Sequence, residues 1–185
     1  MTDWFATLDG LRAQAWQRLA DGVADRDAPT RLPTLATVSP DGWPESRIVV
    51  LRRAVPSKAL LEVYTDSESA KIVSLRRMPR AALHVWDPDR DLQIRMQADV
   101  ILTQGVAVSD RWRALPDVAR LSYGVVPAPG AAIAGARDYE KTPHESRFCV
   151  LSLFVRHIDV VHLGAHHRRA AFAPTDGWAG QWLVP

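Results

Sequence analysis

Cysteine is almost absent from this 185-residue chain: Cys149 stands alone, so no internal disulfide can form and a reducing compartment is expected. Long apolar runs are missing as well. No stretch approaches the length needed to span a bilayer, and Met1-Thr2-Asp3-Trp4 opens with neither a basic segment nor an apolar one. The expectation is a cytoplasmic protein without membrane attachment. Chemistry-bearing motifs are also lacking. No Gly-x-Ser-x-Gly elbow surrounds a serine, no Gly-x-Gly-x-x-Gly follows a strand, and no loop ends in Gly-Lys-Ser/Thr. Hydrolase, dinucleotide-fold and nucleotidase readings lose their support. Nor is there a strong charge of one sign. The formal net charge is +2 and the pI about 9.0, with the arginine pairs Arg52-Arg53, Arg76-Arg77 and Arg168-Arg169 separated by apolar segments. Nucleic-acid binders concentrate such charge in a stripe, so these pairs read as solvated surface and no nucleic-acid partner is expected.

What is present is a chain with 47% hydrophobic residues, enough to bury a sizeable core as one domain spanning residues 1–185. Trp4, Leu8, Leu11, Ala15 and Leu19 recur at helical spacing, giving an amphipathic opening helix that ends in the polar stretch 21–30 and packs on a sheet. Short strands follow at Thr34 to Ser39, Arg47 to Arg52, Leu60 to Thr65, Ala81 to Trp86 and Leu92 to Leu102. Pro40-Asp41-Gly42 and Pro88-Asp89 form turns between neighbours. Ser109 reads as the cap of a short helix through Trp112, and a helical turn runs from Pro116 to Leu121. Val125 to Ala136, rich in Pro, Gly and Ala, reads as an ordered loop or a lid. Strands at Phe148 to Val155, Ile158 to Leu163, His167 to Phe172 and Gln181 to Val184 complete a mainly β fold with flanking helices, a small barrel.

The chemistry concentrates between Arg47 and Lys71. Arg47 to Arg52 is a strand with a cation at each end, and alternation puts Arg47 on one face with Val49 and Leu51, Arg52 on the other with Ile48 and Val50. Without a bulge the two arginines cannot serve one anion, and Arg47 is the expected phosphate ligand. After the strand Leu60 to Thr65 a helix runs from Ser69 to Arg77, with Ser67 or Ser69 as N-cap. Lys71 in its first turn opposes the helix dipole unless an anion sits nearby, and a phosphate monoester would supply one. His162, His166 and His167 with Asp159 suggest a metal cluster only weakly, since adjacent histidines in a strand point apart, and no metal is expected. The seven tryptophans are core or interface residues by default, with Trp86, Trp112 and Trp178 as candidates to border a planar ligand.

The ordered fragments RIVVLR (47–52), YTDSESAK (64–71), MPRAALHVW (78–86), QIRMQADV (93–100), HRRAAF (167–172) and GWAGQWLVP (177–185) resemble the FMN-binding split-barrel family that includes pyridoxamine 5'-phosphate oxidase, over about residues 34–185. The resemblance implies a split β-barrel with FMN as cofactor, held at a homodimer interface. By the same resemblance Arg47, Ile48, Val49, Val50 and Leu51 lie along the flavin and its phosphate arm, Tyr64 and Thr65 add contacts, and Lys71 binds the phosphate; Arg52 at the strand end and Ser69 at the helix start are further cofactor-binding candidates. Gln93 hydrogen-bonds the flavin and Arg169 stands near its ring, from one subunit or the other. A basic residue that often precedes the lysine is Ala70 here.

The departure is on the substrate side. The family's Arg-x-His-x-Arg motif falls on Ala165, His166, His167, Arg168 and Arg169, so its first arginine is missing. Loss of a charge-assisted contact to substrate phosphate costs about 1.5–3 kcal/mol, which argues for a small-molecule substrate other than pyridoxine or pyridoxamine phosphate. The resemblance implies an FMN-dependent oxidoreductase passing hydride between that molecule and the flavin, with His167 as the catalytic candidate. The alternative is a non-catalytic binding protein for FMN, haem or another flat cofactor.

Overall fold

Two long strands carry the framework, and their sequences show why. The computed structural model describes residues 3–185. In β6 (Leu92–Gln104), buried Leu92, Ile94, Met96, Ala98 and Val100 alternate with outward residues Gln93, Arg95, Gln97 and Asp99. That period-two pattern suits a sheet with one face on a core. β9 (Phe148–His162) pairs antiparallel with it from Leu92↔His162 to Gln104↔Cys149. Where two strands were expected, β9 is continuous. Arg156 and His157 interrupt its apolar run, and a bulge opposite Gln97 and Ala98 absorbs the extra residue without ending the pairing.

The remaining strands are β1 (Thr34–Val38), β2 (Pro44–Ile48), β3 (Leu51–Val55), β4 (Leu60–Asp66), β5 (Arg80–Asp87), β7 (Val125–Val126), β8 (Glu140–Lys141), β10 (Arg168–Phe172) and β11 (Gln181–Leu183). The main sheet runs β11-β10-β9-β6-β5-β1-β2, and β4 pairs with both β3 and the first half of β9, which curls the sheet into a split β-barrel. The β1–β2 hairpin closes at Gly42, whose φ of +87° is open to glycine at no steric cost. The expected strand 47–52 is divided. β2 ends at Ile48, the Val49 amide turns to the Pro33 carbonyl (2.9 Å), and β3 starts at Leu51 to pair with β4.

The opening helix, α1 (Leu8–Ala24), starts four residues later than its first apolar residue: Thr7 caps it by accepting from the Gly10 amide, and Trp4–Ala6 form a separate 3₁₀ turn. It buries Leu11, Ala15, Trp16 and Leu19 against Leu51, Leu61, Val63, Leu151 and Phe172 in the barrel core. Each such leucine contributes about 1.5–3 kcal/mol. α2 (Ala70–Arg77) has Ser69 as N-cap residue, without a side-chain cap bond. α3 (Ser109–Arg113) includes Ser109 rather than being capped by it, and α4 (Asp117–Arg120) follows Pro116. Trp112, one of the three tryptophans considered for a ligand, instead packs in a second cluster with Tyr123, Phe148 and Val150.

Candidate functional site

Side-chain alternation on β2 and β4 builds the first group of polar residues. Glu45 and Arg47 point inward from β2, and Thr65 points the same way from β4 toward the start of α2. Arg47 Nη1 donates to Thr37 Oγ1 (2.7 Å) and to the Leu35 and Glu45 carbonyls, and Nη2 donates to Glu45 Oε2 (3.0 Å). Lys71 Nζ reaches Thr65 Oγ1 at 3.0 Å, and that hydroxyl lies 3.2 Å from Ser69 Oγ. Burial first, and then the Arg47 charge, pushes the Lys71 pKa below its ordinary value, with Asp66 opposing. Two cations thus share a half-buried space with two hydroxyls, and an ammonium with free donors stands at a helix start. That donor set fits a phosphate monoester.

The neighbouring strand residues leave on the other face. Arg52 sits 5.9 Å from the Tyr64 ring, and Tyr64 packs edge-on against Phe148 at 5.1 Å. Glu62, 1% exposed, holds Arg53 and Arg111 beside them. Desolvation, with the Glu62 charge, raises the Tyr64 pKa. Arg52 and Tyr64 therefore stand apart from Arg47 and Lys71: β2 ends at Ile48, and Arg52 is the extra residue of a bulge in β3 between the pairs Leu51↔Val63 and Arg53↔Glu62. Val49 and Leu51 are buried in the core, Val50 is half-buried, and Ile48 is exposed on the outside of the sheet.

The outer face carries the third group. Trp86, Gln93, Val161, Arg169 and Leu183 form one cross-strand row, and Ile48, Thr34, His84, Arg95, Asp159 and Ala171 form the next. Gln93 and Arg169 are two strand spacings apart, about 10 Å. Gln93 Oε1 lies 3.3 Å from His84 Nε2. Asp159, 6% exposed, receives Arg95 Nη2 at 2.7 Å and Arg169 Nη2 at 2.8 Å. His167 is exposed in the loop before β10, and its charge acts on buried His162. Among the described residues no group of His, Cys, Asp and Glu is arranged to hold a metal.

Sequence reasoning thus found Arg47, Thr65, Ser69 and Lys71 as a cluster and Gln93 and Arg169 as a pair, on different faces of the sheet. It missed Glu45 and Thr37, which share the inner face with Arg47. The i, i+2 spacing of Glu45 and Arg47 was the available signal. Asp159, weighed only for a metal cluster, and His84 were missed as partners of Arg169 and Gln93, because strand pairing rather than side-chain spacing brings them together.

Residues 13–104 match the family model described as pyridoxamine 5'-phosphate oxidase, FMN-binding domain. Two curated pyridoxine/pyridoxamine 5'-phosphate oxidases are similar over 67 residues, or 36% of this chain. That of Leptospira interrogans is 37% identical and that of Microcystis aeruginosa 40%. The aligned part spans only 30% of either relative's length. Among solved structures, a pyridoxamine 5'-phosphate oxidase-related, FMN-binding protein from Nostoc punctiforme has 27% identity and a TM-score of 0.75, covering 94% of this chain and 96% of the other. PhzG from Burkholderia lata, solved with tetrahydrophenazine-1-carboxylic acid, shares the fold at 16% identity and a TM-score of 0.71, covering 94% and 91%.

Proposed function

Because the chain belongs to the pyridoxamine 5'-phosphate oxidase FMN-binding family and its cofactor is FMN, we propose that it is an FMN-dependent oxidoreductase acting on a small molecule, with each FMN shared by two protomers. The Arg47–Lys71 cluster carries this reading. Arg47 and Lys71 hold the phosphate with the Thr65 and Ser69 hydroxyls, while Ile48, Val50 and the backbone of Val49 and Leu51 run along the cofactor. Arg52 and Tyr64 face the opposite side of these strands and border the site from there. When bound, FMN supplies the hydride donor and acceptor.

Gln93 and Arg169 lie on the outer face, so reaching them from Arg47 within one chain means passing the edge strand β2. A second protomer offering its outer face supplies both groups directly. That face suits burial: Ile48 and Trp86 are exposed there, next to an apolar trough of about 550 Å³ lined by Ala36, Ala82, Met78 and Arg156. In the assembled site His84 directs the Gln93 amide, Asp159 holds Arg169, and exposed His167 moves a proton to or from substrate at its imidazole. Ala165 in place of an arginine supports a substrate without the phosphate of pyridoxamine phosphate. It also suits a flavin binder without turnover.

The deciding experiment is an FMN titration followed by anaerobic reduction. One FMN per chain, with bleaching of the oxidised flavin bands by a small-molecule donor and reoxidation by an acceptor, is the expected result. Stoichiometric binding with no reduction by any donor series would leave the carrier reading, and no FMN binding would remove both.

A further inference from the structure

One acid of the phosphate-side cluster bonds the arginine itself, an unusual position for an anion-binding site. Glu45 Oε2 accepts from Arg47 Nη2 at 3.0 Å and from Ser74 Oγ at 3.4 Å, which ties β2 to α2. The other terminal nitrogen of Arg47 is already held by Thr37 and two backbone carbonyls. Glu45 is therefore not needed to aim the guanidinium. What its carboxylate does is take, as a charged acceptor, one N–H of the second terminal nitrogen, on the side of the guanidinium that is left for a ligand.

We infer that Glu45 is an intramolecular competitor for the cofactor phosphate, an affinity-setting residue that makes FMN exchangeable. The inference rests on the reading that Arg47 and Lys71 hold that phosphate. An arriving phosphate either shares the arginine with a like charge or displaces it. With about a third of its side chain exposed, Glu45 can be displaced into water, so the site opens, but at a cost in affinity. The cost falls on phosphorylated flavin alone. Riboflavin carries a hydroxyl at that end and does not contend with the carboxylate, so Glu45 narrows the gap between FMN and riboflavin affinities.

The test is a fluorescence titration of FMN and of riboflavin into the wild-type protein, Glu45→Gln, Glu45→Ala and Arg47→Ala at one ionic strength. Both Glu45 variants should bind FMN about three- to tenfold more tightly, with slower release and unchanged riboflavin affinity. Unchanged or weaker FMN binding in both overturns the inference, because a positioning role gives that sign. An equal gain for riboflavin also overturns it, since the effect then lies in packing and not in charge. If Arg47→Ala weakens FMN while the Glu45 variants gain nothing, this inference alone fails. If Arg47→Ala leaves FMN binding unchanged, the phosphate reading fails and takes the inference with it.

Discussion

A lysine whose charge is already disfavoured is a pH-sensitive ligand. Burial and Arg47 lower the Lys71 pKa, so the free protein loses this cation at lower pH than an ordinary lysine would. FMN affinity should therefore hold through neutral pH and fall as pH rises through the lowered Lys71 pKa. Lys71→Met should bind FMN about 10- to 100-fold more weakly and lack that alkaline fall. An identical alkaline limb in the variant would reject Lys71 as its source. Cys149 lies at the other extreme. It is 1% exposed, and burial pushes its thiol up to about 11, so an aromatic disulfide reagent at pH 8 should modify it only after denaturation. Rapid labelling of the folded protein would contradict this. At this scale the sequence was informative where chemistry is local. Arg47 and Lys71 were legible because a cation at a strand end and a cation at a helix start are anomalies in one dimension. Alternation already set Arg52 apart from Arg47, but the break after Ile48 and the bulge at Arg52 were not legible, nor was the packing of Tyr64 beside Arg52. Asp159 is bonded to Arg95 and Arg169 on flanking strands, a relation that only pairing creates.

Among the elements, the 3₁₀ turn Trp4–Ala6 is the one whose docking depends on acid. His162 at the end of β9 stacks on Phe5 (centroids 4.5 Å apart) and meets Trp4 edge-on at 5.0 Å, with its Nδ1 buried and without a hydrogen-bond partner among the described residues. Burial foremost, with the Arg168 and His167 charges, lowers its pKa below 6.5, and Asp91 opposes them. The undocked imidazole takes up its proton first as pH falls, so docking is fully stable above 6.5 and weakens progressively below it. Limited proteolysis near residues 3–7 should speed up between pH 7 and pH 5 in the wild type and not in His162→Gln. Equal cleavage at both pH values in the wild type would defeat the idea. Apolar periodicity located α1 and most strands, because each buries one face on a common core. It failed at ends and joins. Trp4 belongs to the turn and not to the helix because Thr7 caps in between, and β9 read as two strands because a polar pair, Arg156 and His157, marks its bulge.

For the whole molecule, the exposed outer face sets the expectation for assembly. Ile48→Asp places a charge on a residue that is 67% exposed in the single chain, so the fold should survive while the proposed dimer gives way to monomer in sedimentation and FMN binding drops. An unaltered dimer with full FMN binding would put the interface elsewhere. The mainly β class was legible throughout from the spacing of strands and turns, whereas the strand order was not, because it depends on β9 meeting β4 and β6. That late strand has a consequence for how the chain is made. β4 and β9 pair residues roughly 80 to 95 positions apart, and until β9 leaves the ribosome both β4 and β6 expose unpaired edges. Residues 13–104, the part that matches the family model, hold Arg47, Lys71 and Gln93 yet lack β9, the strand that joins β4 to β6. During synthesis the nascent chain would carry Arg47 and Lys71, the phosphate ligands proposed above, through a long, aggregation-exposed interval before the sheet that positions them was complete.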